Sequence, residues 1–297
     1  MHLKTPVIEL PSNGLNLNKV FLKLDNLQPS GSFKIRGISN LVKKAIEKLP
    51  KNQPVKFLVS SSGGNAGIST AYVGLKLAIP VKVFVPVTTK EFVIKILQAN
   101  KADVLVGGES WVEANEQALG FFKAAQQEFG IDLWEGHSTL ITEIEEKIDF
   151  VIVSVGGGGL LSGVLEGLRA KNSTAKVIAV ETKATSLGAK TVTENLIHSC
   201  KSYGTENIFS VVVEDRLAVQ AISKFADDFK FLVEPACSAS LSLVLLKEGE
   251  EILKEKVFKK INFTEKKLSE SNILVVVCGG NSVTLKMITE WKTLFNL

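Results

Sequence analysis

Short runs of β-branched and other apolar residues alternate with longer stretches of helical periodicity along the whole chain. Lys56-Phe57-Leu58-Val59, Val81-Lys82-Val83-Phe84-Val85, Asp103-Val104-Leu105-Val106, Phe150-Val151-Ile152-Val153, Lys176-Val177-Ile178-Ala179-Val180 and Ile273-Leu274-Val275-Val276-Val277 read as strands. Several are apolar on both faces and lack the alternation of a sheet that faces water on one side. A parallel sheet covered on both faces has that pattern, because each crossover lays a helix over one face. The fold class is therefore α/β. In such sheets ligands bind beyond the carboxyl ends of the strands, where loops run into helix N-termini. The loops after the strands are thus the places to look for chemistry. No repeat, low-complexity tract or Pro/Gly/Ser-rich linker interrupts the alternation.

Composition narrows the partners. The chain has 297 residues, 45% of them apolar, enough to bury a large core. Its net charge is +4 with the charges scattered, so no basic footprint points to nucleic acid or to a membrane surface, and a small molecule is the expected partner. The cluster Lys254-Glu255-Lys256-Val257-Phe258-Lys259-Lys260 reads as a solvated surface. No strand-like run approaches the roughly 20 residues needed to cross a bilayer. Cys200, Cys237 and Cys278 lack metal-ligand spacing, and the opening MHLKTPVIEL resembles neither a signal nor a transit peptide, so a reduced, cytoplasmic protein is expected.

Three turns rich in glycine or serine follow strand-like segments. Ser60-Ser61-Ser62-Gly63-Gly64-Asn65-Ala66-Gly67 precedes a helical pattern; its small residues and the N–H groups of a helix start favour an anion, although an ordinary tight turn would look the same. Val155-Gly156-Gly157-Gly158-Gly159-Leu160 carries an entropic cost that a plain connector does not require, and a phosphate cradle is the favoured reading. A dinucleotide site is its rival: Gly156 and Gly158 fit G-x-G-x-x-G, Leu161 breaks it, and Glu181 stands where a ribose-binding acid could. The third, Val277-Cys278-Gly279-Gly280-Asn281-Ser282, holds a cysteine that is either a buried structural thiol or a ligand-facing group. Upstream, Pro29-Ser30-Gly31-Ser32 makes a turn and N-cap, and Lys34 falls in the first turn of the following helix. Surface lysines are mostly just solvated. One opposing a helix dipole beside Phe33 and small residues is placed to serve as an amine nucleophile toward an aldehyde. His137 and His198 read first as packing or surface residues.

Taken in order, Ser32-Phe33-Lys34-Ile35-Arg36-Gly37, Ser61-Ser62-Gly63-Gly64-Asn65-Ala66-Gly67, Trp134-Glu135-Gly136-His137, Ser154-Val155-Gly156-Gly157-Gly158-Gly159-Leu160, Val233-Glu234-Pro235-Ala236-Cys237 and Val277-Cys278-Gly279-Gly280 resemble the pyridoxal-phosphate-dependent L-serine/L-threonine dehydratases of fold type II. The resemblance spans nearly the whole chain. It implies two open, twisted, mostly parallel sheets flanked by helices, with a large cofactor-binding domain of residues 1–37 and 132–297 and a small domain of residues 38–131. It implies that Lys34 joins the cofactor aldehyde, Phe33 packs on the pyridine ring, and Gly156, Gly157, Gly158 and Gly159 hold the phosphate. Asn65 would bond the ring hydroxyl, Cys278 would sit near the pyridine nitrogen, and Ser62, Gly63, Gly64, Asn65 and Ala66 would receive the substrate carboxylate. A monovalent cation, commonly potassium, would sit behind the glycine loop, where Gly156, Glu181, Leu187 and Ala189 match part of the site. A homodimer is implied as well.

Within that family, Asn65 followed by Ala66-Gly67, together with Cys278, points to the catabolic dehydratases, which eliminate water and ammonia from L-serine to give pyruvate and from L-threonine to give 2-oxobutanoate. The alternatives are a serine racemase or another fold type II enzyme such as a sulfhydrylase, and a catalytically silent metabolite-binding relative. The chain is shorter than the family pattern before Leu133, after Lys147 and after Thr182. These places are expected to be gaps in the sequence rather than true deletions, because losing a strand and part of an ion site would exceed a typical stability of about 5–15 kcal/mol.

Overall fold

The computed structural model describes residues 1–11, 18–50, 54–121, 130–182 and 193–297. Internal packing divides the chain into two compact units, one of Met1–Leu3 and Gln28–Gly136, the other of Lys4–Leu27 and His137–Leu297. The expected domain limits lay after residues 37 and 131.

The strands are β1 (Val7–Glu9), β2 (Lys19–Leu24), β3 (Leu58–Ser60), β4 (Val81–Val85), β5 (Asp103–Val106), β6 (Phe150–Ser154), β7 (Lys176–Glu181), β8 (Ile208–Val212) and β9 (Asn272–Val277). The helices used below are α1 (Lys34–Lys48), α2 (Asn65–Leu77), α3 (Glu91–Ala99), α4 (Trp111–Phe121), α5 (Gly130–Thr142), α6 (Gly159–Ala170), α7 (Glu194–Tyr203), α8 (Asp215–Phe229) and α9 (Pro235–Leu245).

The first unit is built on the three-stranded sheet β3-β4-β5, parallel throughout. Val81, Val83 and Val85 of β4 are buried with Ile68 and Ala71 of α2 and Val93 and Leu97 of α3. A second cluster joins Ile35, Ile38 and Val42 of α1 to Val73 of α2, with Ala66 and Leu58 packed against it. The i, i+3, i+7 spacing on α1 is what lays that helix on α2.

The second unit holds a six-stranded sheet in the order β1-β2-β9-β6-β7-β8, parallel except for β1 against β2. All five residues of β6 are buried, as are the last five of β9, so the continuous apolar runs form central strands as expected. The chain advances from β6 through β7 to β8 on one side, whereas β9 lies on the other side of β6. The loops leaving the carboxyl ends of β6 and β9 therefore diverge from adjacent strands, which is a topological switch point.

At one of the three expected gaps the described chain is continuous and packed. Asp149 N–H donates to Asn272 O at 3.0 Å, Asn272 Nδ2 donates to Lys147 O at 2.8 Å, and β6 begins at Phe150. The connection at Lys147 is short and is tied by these hydrogen bonds to the start of β9. Before Leu133 the chain runs as α5 rather than as a strand. The gap after Thr182 falls on residues 183–192, outside the described residues.

Candidate active site

Lys34 is the first residue of α1, and the turn that delivers it is closed by Gly31 N–H donating to Gln28 O. The serines before it do not cap the helix as expected. The cap position is Phe33, which has no oxygen to cap with, and Ser30 Oγ bonds Ser69 Oγ of α2 at 2.8 Å instead. Ser32 is fully buried, and its Oγ has no partner among the described residues. Lys34 Nζ stands 4.9 Å from the centre of the Phe33 ring, within cation–π range. The Ser30–Ser69 bond and the cluster that joins Ile35 to Ala66 hold the Lys34 turn against the first turns of α2.

Those first turns carry the serine-rich loop. It leaves β3 at Ser60 and enters α2 at Asn65, whose cap, Gly64, offers no side-chain acceptor. No cap side chain thus stands between the start of α2 and an approaching anion. Ser62 N–H donates to Ser60 Oγ and Gly64 N–H to Ser62 Oγ, both at 3.3 Å. A Cβ on Gly67 would lie 1.9 Å from Ser62 O, so glycine is what lets the loop fold back on the helix. The first unit thus brings Phe33, Lys34 and the loop of residues 62–66 to one end.

The second unit carries the glycine loop and Cys278 at the switch point. Gly158 caps α6 with φ +87° and supplies no side-chain acceptor, so the first-turn N–H groups of α6 point out of an uncapped, buried helix start. A Cβ on Gly158 would come within 2.3 Å of Leu196 of α7, whereas one on Gly157 would meet nothing within 4 Å. Ser162 Oγ, in the first turns of α6, is buried with no partner among the described residues. This nest fits a phosphate: it offers uncapped donors and open space at Gly157. His137 takes the packing role, its Nδ1 3.2 Å from Gly159 O and its Cβ 2.3 Å from where a Cβ on Gly163 would stand.

Cys278 follows β9 and is nearly fully buried. Its backbone N–H donates to Cys237 Sγ at 3.1 Å. The side-chain hydrogen bond with Cys237, and after it burial, holds the Cys278 thiol well above its ordinary pKa, so it is a neutral thiol at physiological pH. Glu234 clamps the same loop: its N–H donates to Gly279 O at 3.2 Å, and its Oε1 accepts from Ser282 N–H at 3.0 Å. Its clamping role was not legible in the sequence, where the visible signal was only an acid before a proline at a helix start. Asn115 of α4 is the other residue missed. Its Oδ1 accepts from Ser61 Oγ at 2.8 Å, a contact across 54 positions that no local pattern announces.

Of the expected cation ligands, Glu181 closes β7, is exposed, and has Ser210 Oγ donating to its Oε1 at 3.4 Å. Leu187 and Ala189 lie outside the described residues. Among the described residues no group of three or more His, Cys, Asp or Glu side chains is placed to hold a metal ion, and no helix is long and apolar enough to cross a membrane.

Residues 1–279 match the family described as pyridoxal-phosphate-dependent enzymes. The chain is 35% identical to the mouse L-serine dehydratase/L-threonine deaminase over 330 aligned positions, covering 100% of this chain and 97% of that protein. It is 35% identical to a Dictyostelium discoideum L-serine dehydratase, covering 98% and 91% of the two chains. Among solved structures, a fungal L-serine ammonia-lyase from Rhizomucor miehei superposes with a TM-score of 0.81 at 27% identity, covering 99% of each chain. An uncapped anion nest at the switch point of one unit, a lysine opening a helix in the other, and similarity running end to end lead to one conclusion: the chain belongs to the pyridoxal-phosphate-dependent enzyme family, in its fold type II architecture.

Proposed function

We propose that this protein is an L-serine/L-threonine ammonia-lyase, converting L-serine to pyruvate and ammonia and L-threonine to 2-oxobutanoate and ammonia. The observation that carries the reading is the uncapped start of α6, four glycines after a buried strand, in a chain that also opens α1 with Lys34 beside an aromatic ring. The names of its relatives among serine and threonine dehydratases support the choice of substrate.

Pyridoxal phosphate, when bound, supplies the electron sink that the α-carbon requires. The N–H groups of residues 156–159, leading into α6, would hold its phosphate. Lys34 would supply the amine that holds the aldehyde carbon and would serve as the base toward the substrate α-proton. Phe33 would pack against the ring. Asn65 would donate to the ring hydroxyl oxygen, and the N–H groups opening α2 would donate to the substrate carboxylate. Cys278 would offer the ring nitrogen a neutral thiol. A thiol cannot hold that nitrogen protonated as a carboxylate would, and this favours elimination over transamination. An ammonia-lyase therefore fits this side chain better than an aminotransferase.

Purified protein loaded with pyridoxal phosphate should release keto acid and ammonia in equal amounts from L-serine and L-threonine. Lys34→Ala should abolish both the release and the visible colour of the loaded protein. Formation of D-serine in place of keto acid would make it a racemase instead, and a colourless, inert protein would make it a silent relative.

A further inference from the structure

The serine-rich loop is supported from outside by a helix that the chemistry above does not use. Ser61, the residue before the carboxylate-binding stretch, donates its hydroxyl hydrogen to Asn115 Oδ1 at 2.8 Å. Asn115 stands on α4, whose own place does not depend on the loop. Ala114 and Ala118 of α4 are buried, Ser110 Oγ accepts from Glu113 N–H at 3.3 Å, and Glu113 Oε2 accepts from Glu109 N–H at 2.9 Å, closing the start of the helix. On another side, a Cβ on Gly63 would come within 2.9 Å of the Thr89 side chain, so the loop is backed there too.

We infer that Asn115 is a positioning residue for substrate binding: through Ser61 it fixes the loop so that the N–H groups opening α2 converge on the amino-acid carboxylate. This rests on the ammonia-lyase reading for the identity of the substrate. A hydroxyl-to-amide bond between a rigid helix and a serine-rich loop removes conformations that the loop would otherwise sample before it could grip an anion. The carboxylate is held alike before and during reaction, so the benefit is uniform binding and appears in KM rather than in kcat.

The test is a double-mutant cycle on the cofactor-loaded protein with L-serine, joined to hydrogen exchange of the loop. Asn115→Ala should raise KM about three- to tenfold, the range of one neutral hydrogen bond, and leave kcat within about twofold. Ser61→Ala should do the same, and the double variant should be no worse than either single one, because both remove one bond. In exchange measurements without substrate, peptides covering residues 61–66 should exchange faster in Asn115→Ala, while β6 and β9 stay as in the parent. Multiplying KM effects in the double variant, an unchanged KM, or a matching fall in kcat would overturn the inference. If the parent releases no keto acid from either amino acid, the ammonia-lyase reading fails. Exchange and calorimetric binding of L-serine to the parent and to Asn115→Ala then decide the inference alone, and unchanged exchange or affinity overturns it.

Discussion

Single positions in the glycine loop separate folding from binding. Gly158 has φ +87° and Leu196 behind it, so Gly158→Ala combines a left-handed backbone penalty with an overlap and should destabilise the protein by about 2 kcal/mol or more. Gly157 has open space where a Cβ would stand. Gly157→Ala should leave urea unfolding of the apo protein within about 0.5 kcal/mol of the parent yet weaken retention of pyridoxal phosphate at least tenfold, as followed by its absorbance. Equal retention by both proteins would mean that the phosphate lies elsewhere. Cys278 makes a prediction about pH. Its thiol pKa is raised in the folded state, first by the hydrogen bond with Cys237 and then by burial, so the unfolded chain gives up that proton at lower pH. The stability from the retained proton is complete below the unfolded value of about 8.5 and is lost as pH rises toward the folded value. Melting temperature should therefore fall more steeply between about pH 8 and 10 in the parent than in Cys278→Ser. Parallel pH profiles would contradict that account.

Among the elements, β2 shows why part of the fold was hidden from the sequence. It is buried from its second residue on and pairs with the central strand β9, yet its Lys-Val-Phe-Leu-Lys-Leu pattern carries two charges. The inner one, Lys23, is fully buried; its Nζ donates to Glu143 Oε2 at 2.7 Å and to Thr5 O at 2.8 Å. A lysine satisfied by partners far along the chain looks in isolation like a surface residue, so the run lacks the signature of a strand. β1 and β8, at the two edges of the sheet, were too short or too exposed for a pattern to show. The runs that do read as strands, in β3, β4, β5, β6, β7 and β9, are those whose apolar and β-branched residues stand together within a few positions. Glu143→Ala would strand the Lys23 charge in the interior, and the expected loss is about 3–5 kcal/mol, whereas Lys23→Met should cost less because no buried charge remains unpaired. Chemical denaturation of both variants checks the ordering, and a reversed order would show that the pair does not hold β2 in this way.

At the scale of the molecule, the chemistry was more legible than the architecture that supports it. Lys34, the loop of residues 62–66, the glycine loop and Cys278 are local motifs, and each lies at a strand exit or a helix start where its residue types have a physical use. Asn115 and the clamp by Glu234 are tertiary facts, made by side chains meeting backbone or hydroxyl groups 54 and 48 positions away. The order of strands that makes the switch point is likewise absent from any short window. The account nevertheless converges on one amine. Borohydride reduction of the cofactor-saturated protein, followed by peptide mass spectrometry, tests it most directly. The phosphopyridoxyl group should be found on Lys34 and on no other lysine; an unmodified Lys34, or the group carried by a different lysine, would contradict the account at its centre.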